Sequence, residues 1–218
     1  MEPSFDSYRH KGLRKKLVDS LREKGITDRN VLEAIDRVPR HLFMDSSFLE
    51  FAYQDNAFPI GSGQTISQPY TVAYQTQLLQ VMPGDKILEI GTGSGYQACI
   101  LLEMGAKVYT IERQKKLFDK TKSFLPTIGY NPKMFYGDGY KGLPPFAPFD
   151  KIIITAAAPE IPQELINQMK TGGILVIPVG PSDVQTMVSI YKISENEIKR
   201  IAHDQFRFVP MLGNKAKD

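Results

Sequence analysis

Cysteine occurs once in the 218 residues, as Cys99, and tryptophan does not occur at all. A single thiol excludes an intramolecular disulfide and any metal centre built on several cysteines, and it suits a reducing compartment. Histidine is nearly as scarce. His10, His41 and His203 stand isolated in the sequence, so packing or surface roles are expected of them and neither a nucleophilic triad nor a metal site is. No apolar run approaches the roughly 18 residues of a membrane span, and Met1 to Lys16 lacks the apolar stretch of a signal peptide. A cytoplasmic protein without a membrane partner is the expectation. Charge of one sign is also missing: 27 Lys+Arg against 24 Asp+Glu leaves +3. The basic residues are scattered among acids, and a pI of about 8.8 falls short of the level at which charge alone argues for nucleic acid, so no nucleic-acid partner is expected. Absent, too, are a Gly-x-x-x-x-Gly-Lys phosphate loop, His-Glu-x-x-His and a Gly-x-Ser-x-Gly elbow.

What is present is an ordinary globular composition, 42% hydrophobic and 23% charged, enough for one domain with an extension. Leu13, Leu17, Val18 and Leu21 recur at helical spacing before Gly25. Thr27 or Asp28 can cap a second helix carrying Val31, Leu32 and Ile35 up to Pro39. Residues 43–63 form an irregular, aromatic-rich stretch, and a third helix is predicted from about Pro69 to the Pro83-Gly84 stop. After Gly84 short apolar runs alternate with helical segments. Strands are predicted at Lys86–Ile90, Lys107–Ile111, Lys133–Tyr136, Lys151–Thr155 and Ile174–Val179, and helices at Tyr96–Met104, Lys115–Ile128 and Pro162–Lys170. That alternation predicts the α/β class, a doubly wound, mostly parallel sheet with right-handed crossovers. Met187–Ser194 and Ile198–Phe208 read as an added antiparallel hairpin, and Gly213–Asp218 as a loose tail. The expected layout is a single domain: a helical, lid-bearing, substrate-side extension over 1–83, an α/β core over 84–180, and the hairpin and tail over 181–218. A monomer is the default expectation.

The most informative segment is Glu89-Ile90-Gly91-Thr92-Gly93-Ser94-Gly95-Tyr96, where the first core strand gives way to a helix. Ligands of doubly wound sheets sit outside the carboxyl ends of the strands, and glycines let a ligand lie against the turn. Tyr96 occupies the last glycine position of the Gly-x-Gly-x-x-Gly fingerprint, which weakens a dinucleotide reading. About twenty residues past Gly91, at the end of the second strand, Glu112 can accept both hydroxyls of a ribose. Asp138, in Gly137-Asp138-Gly139, can accept from an adenine amino group. Glu89 stands where a dinucleotide site would want pyrophosphate. An acidic turn repels phosphate and suits a zwitterion with ammonium and sulfonium charge, S-adenosylmethionine. Taken singly, the same residues have plainer readings: close helix–sheet packing for the glycines, a solvated strand end for Glu112, a capping or structural acid for Glu89, and a turn for Asp138. Their common register favours the ligand site. Cys99, among Ala98, Ile100 and Leu101, reads as a buried packing residue.

With Val38-Pro39-Arg40-His41-Leu42-Phe43, Gly63-Gln64-Thr65-Ile66-Ser67-Gln68-Pro69, Gly137-Asp138-Gly139, Phe149–Ala156, Gly172–Gly180 and Arg207-Phe208-Val209-Pro210, the chain resembles the protein-L-isoaspartate O-methyltransferases from about Lys11 to Gly213. The resemblance implies a Rossmann-like, S-adenosylmethionine-dependent methyltransferase that acts on isoaspartyl residues of damaged proteins and peptides. The methyl ester then closes to a succinimide, which reopens partly to normal aspartate. It also implies Ser67 as the catalytic residue, and Gln64, Thr65, Ile66 and Ser67 around the cofactor beside Glu89, Ile90, Gly91, Thr92, Gly93, Glu112, Arg113, Asp138 and Gly139. Ser67, Arg207 and Val209 are assigned to the substrate, and no metal is implied. Tyr140, Tyr70 and Thr71 depart from what many relatives carry. A carboxylate nucleophile is already ionised at neutral pH, so no general base is needed. Alignment and water exclusion remain, with residues 43–66 as a lid. Without the resemblance the helix-entry reading of Ser67 is the favoured one, and Arg207–Pro210 reads equally as a plain edge strand. Two rival classes remain. One is a methyltransferase of small molecules or nucleic acids, disfavoured because Thr155-Ala156-Ala157-Ala158-Pro159 lacks an Asn/Asp-Pro-Pro-aromatic sequence. The other is a non-catalytic nucleotide-binding module.

Overall fold

The computed structural model describes residues 6–181 and 183–216. Two capped helices open the chain. In α1, Tyr8–Glu23, the Ser7 hydroxyl accepts the His10 N–H; in α2, Arg29–Arg37, the Asp28 carboxylate accepts those of Asn30 and Val31. The sequence left the second cap between Thr27 and Asp28, and Asp28 holds it. Leu17, Val18 and Leu21 of α1 meet Val31, Leu32 and Ile35 of α2 in one core. The aromatic stretch then forms short 3-10 turns at Arg40–Phe43 and Ser46–Phe51 and a hairpin of β1, Phe58–Gly61, with β2, Gln64–Ile66. Phe43, Ala52 and Tyr53 are buried, which anchors the base of this segment and leaves the hairpin overhanging. The third helix, α3, is Pro69–Leu79, with proline in its first turn.

Seven strands form the main sheet. Running parallel are β3, Lys86–Ile90, β4, Lys107–Glu112, β5, Lys133–Tyr136, β6, Phe149–Ile154, and β7, Met169–Val179; β8, Gln185–Ser194, and β9, Glu197–Phe206, close it antiparallel. The order is β5-β4-β3-β6-β7-β8-β9. Helices α4, Tyr96–Glu103, α5, Lys115–Phe124, and α6, Gln163–Asn167, supply crossovers. Ile87, Leu88, Ile152, Ile153, Leu175 and Val176 are fully buried, because both faces of a parallel sheet are covered and its strands need continuous apolar runs. One cluster joins α1–α4 to one face, and a second packs Leu88, Ile90, Phe149, Leu165 and Met211 on the other. Strand order reverses between β3 and β6, and a switch point of this kind is where such sheets bind ligands.

Three expectations need correction. The helix read over 162–170 is five residues long, because Met169 already pairs with Phe149 as the start of β7. The helix read to Ile128 turns 3-10 at Leu125, at Pro126. The tail is tied down as far as Ala216: Asn214 N–H donates to Asp138 Oδ2 (2.8 Å), Ala216 N–H to Arg113 O (3.0 Å), and Tyr136 Oη to Ala216 O (3.1 Å). Residues 217–218 lie outside the described ones. Among the described residues no helix is long and apolar enough to cross a membrane.

Arg40 is fully buried, its guanidinium 5.0 Å from the Tyr96 ring centre, with Nη2 donating to Asn56 O (3.2 Å). Among the described residues no carboxylate lies at ion-pair distance, and Nε and Nη1 have no partner. Burial lowers its pKa to about 10, leaving a buried cation that is charged at neutral pH and whose desolvation is poorly offset. Arg40→Met, which keeps the volume and removes the charge, is expected to match or exceed the wild type in urea melts. Arg40→Ala, which opens a cavity, is expected to lose about 2–4 kcal/mol. A Met variant as destabilised as the Ala variant contradicts the charge argument.

Candidate active site

The carboxyl ends of β3, β4 and β6, the β1–β2 hairpin, the start of α3 and residues 209–212 line a cleft open to solvent on one side. Its floor is the glycine turn. Gly91 sits at φ 98°, and a side chain there would stand 2.6 Å from Thr155 Oγ1, which donates to Gly91 O (2.8 Å). At Gly139 a side chain would run into Ile90 Cγ2. Ile60 of the hairpin overlies the turn, 3.4 Å from where a Gly93 Cβ would be.

The accounting of the turn's N–H groups decides which charge it accepts. Gly91 and Thr92 donate to Ile111 O (2.9 and 3.1 Å), and Gly95 to Thr92 O (2.8 Å). Gly93 donates to Glu112 Oε2 (2.9 Å), and Gln114 to Glu112 Oε1 (2.8 Å). An anion-binding nest needs such donors free; here the protein's own carboxylate has taken that of Gly93, and backbone carbonyls those of Gly91, Thr92 and Gly95. Each Glu112 oxygen keeps a second lone pair for a ribose hydroxyl. Among the described residues Glu112 is also the one carboxylate lining the cleft, and Arg113, the one cation there, spends its Nε on Asn214 O (3.0 Å). The donor set fits S-adenosylmethionine and does not fit a pyrophosphate.

Gln64, Thr65, Ile66 and Ser67 line the hairpin side of the cleft, and Ile90, Gly91, Thr92 and Gly93 its floor. Glu112, Arg113 and Gly139 line the far end, with Val209 at the rim. Three expected residues lie elsewhere. Glu89 is fully buried beneath the floor with both carboxyl oxygens unpartnered. Asp138 is turned away: Oδ1 accepts Tyr140 N–H (3.0 Å) and Oδ2 accepts Asn214 N–H, so it fastens the segment that walls the cleft. Arg207 is exposed and outside the lining, because β9 ends at Phe206. Thr155, Gln75, Tyr96, Gln97 and Met211 line the cleft unforeseen. Of these only Thr155, at the end of β6 beside the switch point, carried a readable signal.

His10 and His41, expected to be isolated, are stacked with ring centres 3.8 Å apart and planes 28° from parallel. Asp6 lies close enough to complete a triad of potential ligands. Nearly parallel rings send their in-plane lone pairs side by side instead of to one point, and Arg14 already binds both Asp6 oxygens. The cluster packs α1 to the Arg40–Phe43 turn.

The model of the protein-L-isoaspartate(D-aspartate) O-methyltransferase family matches residues 12–216. The chain belongs to this family. The protein-L-isoaspartate O-methyltransferase of Cytophaga hutchinsonii is 60% identical over 208 residues, 95% of this chain and 94% of that one. That of Christiangramia forsetii is 59% identical over 211 residues, 96% and 99% of the two chains. A solved protein-L-isoaspartate O-methyltransferase superposes with a TM-score of 0.83 at 28% identity over 93% of this chain and 67% of that one. A Plasmodium falciparum structure of the same family, in complex with S-adenosyl-L-homocysteine, superposes at 0.79 with 26% identity over 92% and 99%. The family's S-adenosylmethionine dependence agrees with the charge argument built from the turn.

Burial pushes the Glu89 carboxyl from its ordinary 4.5 up to about 8, the Thr110 hydroxyl partly offsetting this and the Glu112 charge adding to it. The folded state therefore binds more protons than the unfolded one between those values. The resulting stability is full below about 4.5 and is lost as pH rises toward about 8. Thermal melts of the unliganded protein should show the wild type losing stability relative to Glu89→Gln across that window. A constant difference contradicts the assignment.

Proposed function

We propose that the cleft aligns the carboxylate of an isoaspartyl residue, presented by a damaged protein or peptide, with S-adenosylmethionine for methyl transfer, and that Ser67 aims it. When bound, the cofactor supplies an electrophilic methyl group on a sulfonium. The observation that carries the reading is the state of Ser67. The cap position of α3 belongs to Gln68, and among the described residues Ser67 Oγ makes no hydrogen bond, so the hydroxyl serves no helix-entry role and is left at the cleft edge to donate to one substrate oxygen. That donation needs no base, because the attacking carboxylate is ionised.

Glu112 holds the ribose end while keeping the turn closed. Ile60 above the turn and Met211 in the far wall exclude water, which strengthens every polar contact inside. Val209 O already accepts Ala157 N–H (2.8 Å), and Phe208 N–H donates to Gln185 Oε1 (2.9 Å), so the 207–210 segment is held from both sides and presents Val209 at the cleft rim to the peptide. Arg207 would meet the substrate outside the cleft. On this reading residues 1–83 are the substrate-side extension, 84–180 hold the cofactor, and the protein is a cytoplasmic monomer without a nucleic-acid partner. The single thiol and the interleaved charges support that.

Labelled methyl transfer to an isoaspartyl peptide should exceed transfer to its aspartyl twin by orders of magnitude, and equal labelling of both contradicts the specificity. Ser67→Ala should lower kcat about tenfold or more, the worth of one hydrogen bond to a charged group, with S-adenosylhomocysteine affinity unchanged. Activity within twofold removes Ser67 from the reaction.

A further inference from the structure

Glu89 is the residue of the turn that the proposed chemistry does not use. It sits on β3 between Thr110 of β4 and Ile153 of β6, with no surface exposed, no oxygen in a full hydrogen bond, and the Thr110 hydroxyl near enough to favour its charged form. An isolated buried carboxylate is too costly to persist, so the group is held protonated while the cleft is empty. It is not cut off from the cleft. Its cross-strand neighbour on the same face is Thr110, whose hydroxyl is 2.6 Å from that of Thr92, and Thr92 lines the cleft. A carboxyl and two hydroxyls thus form a polar column from beneath the floor to the cofactor seat.

We propose that Glu89 is a proton-exchanging counter-charge: it gives up its proton through Thr110 and Thr92 to solvent when the positively charged cofactor fills the cleft, and regains it when the cleft empties. No bond other than O–H changes, and the released proton balances the carboxylate formed. Two other titratable groups face Glu89. From β4, the Glu112 carboxylate opposes its ionisation. From α4, the Cys99 thiol is held neutral, because burial raises its pKa well above the ordinary range. The sheet neighbour on the other side, Ile153, carries no charge. An arriving cation tips the balance toward carboxylate, and the charge of the methyl donor would supply it from the cleft that Thr92 lines. Methyl transfer removes the sulfonium charge, so the product, S-adenosylhomocysteine, leaves a site returning to its neutral form. Glu89 is therefore a positioning residue that favours the charged methyl donor over the spent one.

The inference rests on the cofactor seat proposed above. Titration calorimetry at pH 7 in buffers of different ionisation enthalpy measures the proton directly. For the wild type, S-adenosylmethionine should release most of one proton and S-adenosylhomocysteine less; Glu89→Gln should still bind, release none, and discriminate less between the two. Saturable wild-type binding with no buffer dependence overturns the proton step while leaving the seat intact, whereas no binding by the folded wild type overturns the seat and this proposal with it. Infrared difference spectra of the wild type require no variant to fold. A protonated carboxyl band that disappears on adding S-adenosylmethionine is expected, and a band that is absent beforehand or unchanged afterwards contradicts the proposal.

Discussion

The Glu112 carboxylate takes the N–H groups of Gly93 and Gln114 at once, and much of the site follows from that choice. It fixes the path of the chain as β3 passes into α4, joins that turn to the end of β4, and removes from the floor the Gly93 donor that an anionic ligand would use. The ends of two adjacent strands are locked into one rigid corner at the switch point of the sheet, and the corner accepts hydroxyls and positive charge. On the other side Thr155 Oγ1 donates to Gly91 O, so β6 braces the same turn. Glycine at position 91 leaves room for that brace.

The remaining walls are brought in from distant parts of the chain. The β1–β2 hairpin stands on a base anchored by Phe43, Ala52 and Tyr53 and carries Gln64–Ser67 to the cleft edge. From the other end of the chain, residues 209–212 are held by Ala157 N–H on Val209 O, by Met211 N–H on Ala157 O, and by Asp138 on Asn214. Asp138 thus fastens the segment that walls the cleft. The chemistry asked of this enclosure is modest, because an ionised carboxylate and a sulfonium carbon need alignment and dryness more than acid or base.

Most of this architecture was legible in the amino-acid sequence, for a physical reason. Strands buried on both faces must be continuous apolar runs, and crossovers must be punctuated, so β3 to β7 and the turn after β3 announce themselves. Glu112 was legible because strand-end geometry fixes its distance from the turn. What escaped depends on contacts between residues far apart in sequence. The direction of the Asp138 carboxyl is set by Asn214, and the pairing of His10 with His41 by the packing of α1 on a later turn. Arg207 was expected to line the substrate groove with Val209, but it stands exposed outside the cleft while Val209 lines the rim. Gln75 and Gln97 line the cleft from helices whose spacing marks them only as core-facing.

The central claim is that one carboxylate both closes the turn and seats the cofactor's ribose. Calorimetric titration of S-adenosylhomocysteine into Glu112→Gln, which turns a donor toward N–H groups that need an acceptor, measures both roles together. The account predicts a loss of about 1–3 kcal/mol in binding, accompanied by shifted backbone amide resonances at Gly93 and Gln114. Unchanged affinity with unshifted amides would contradict it.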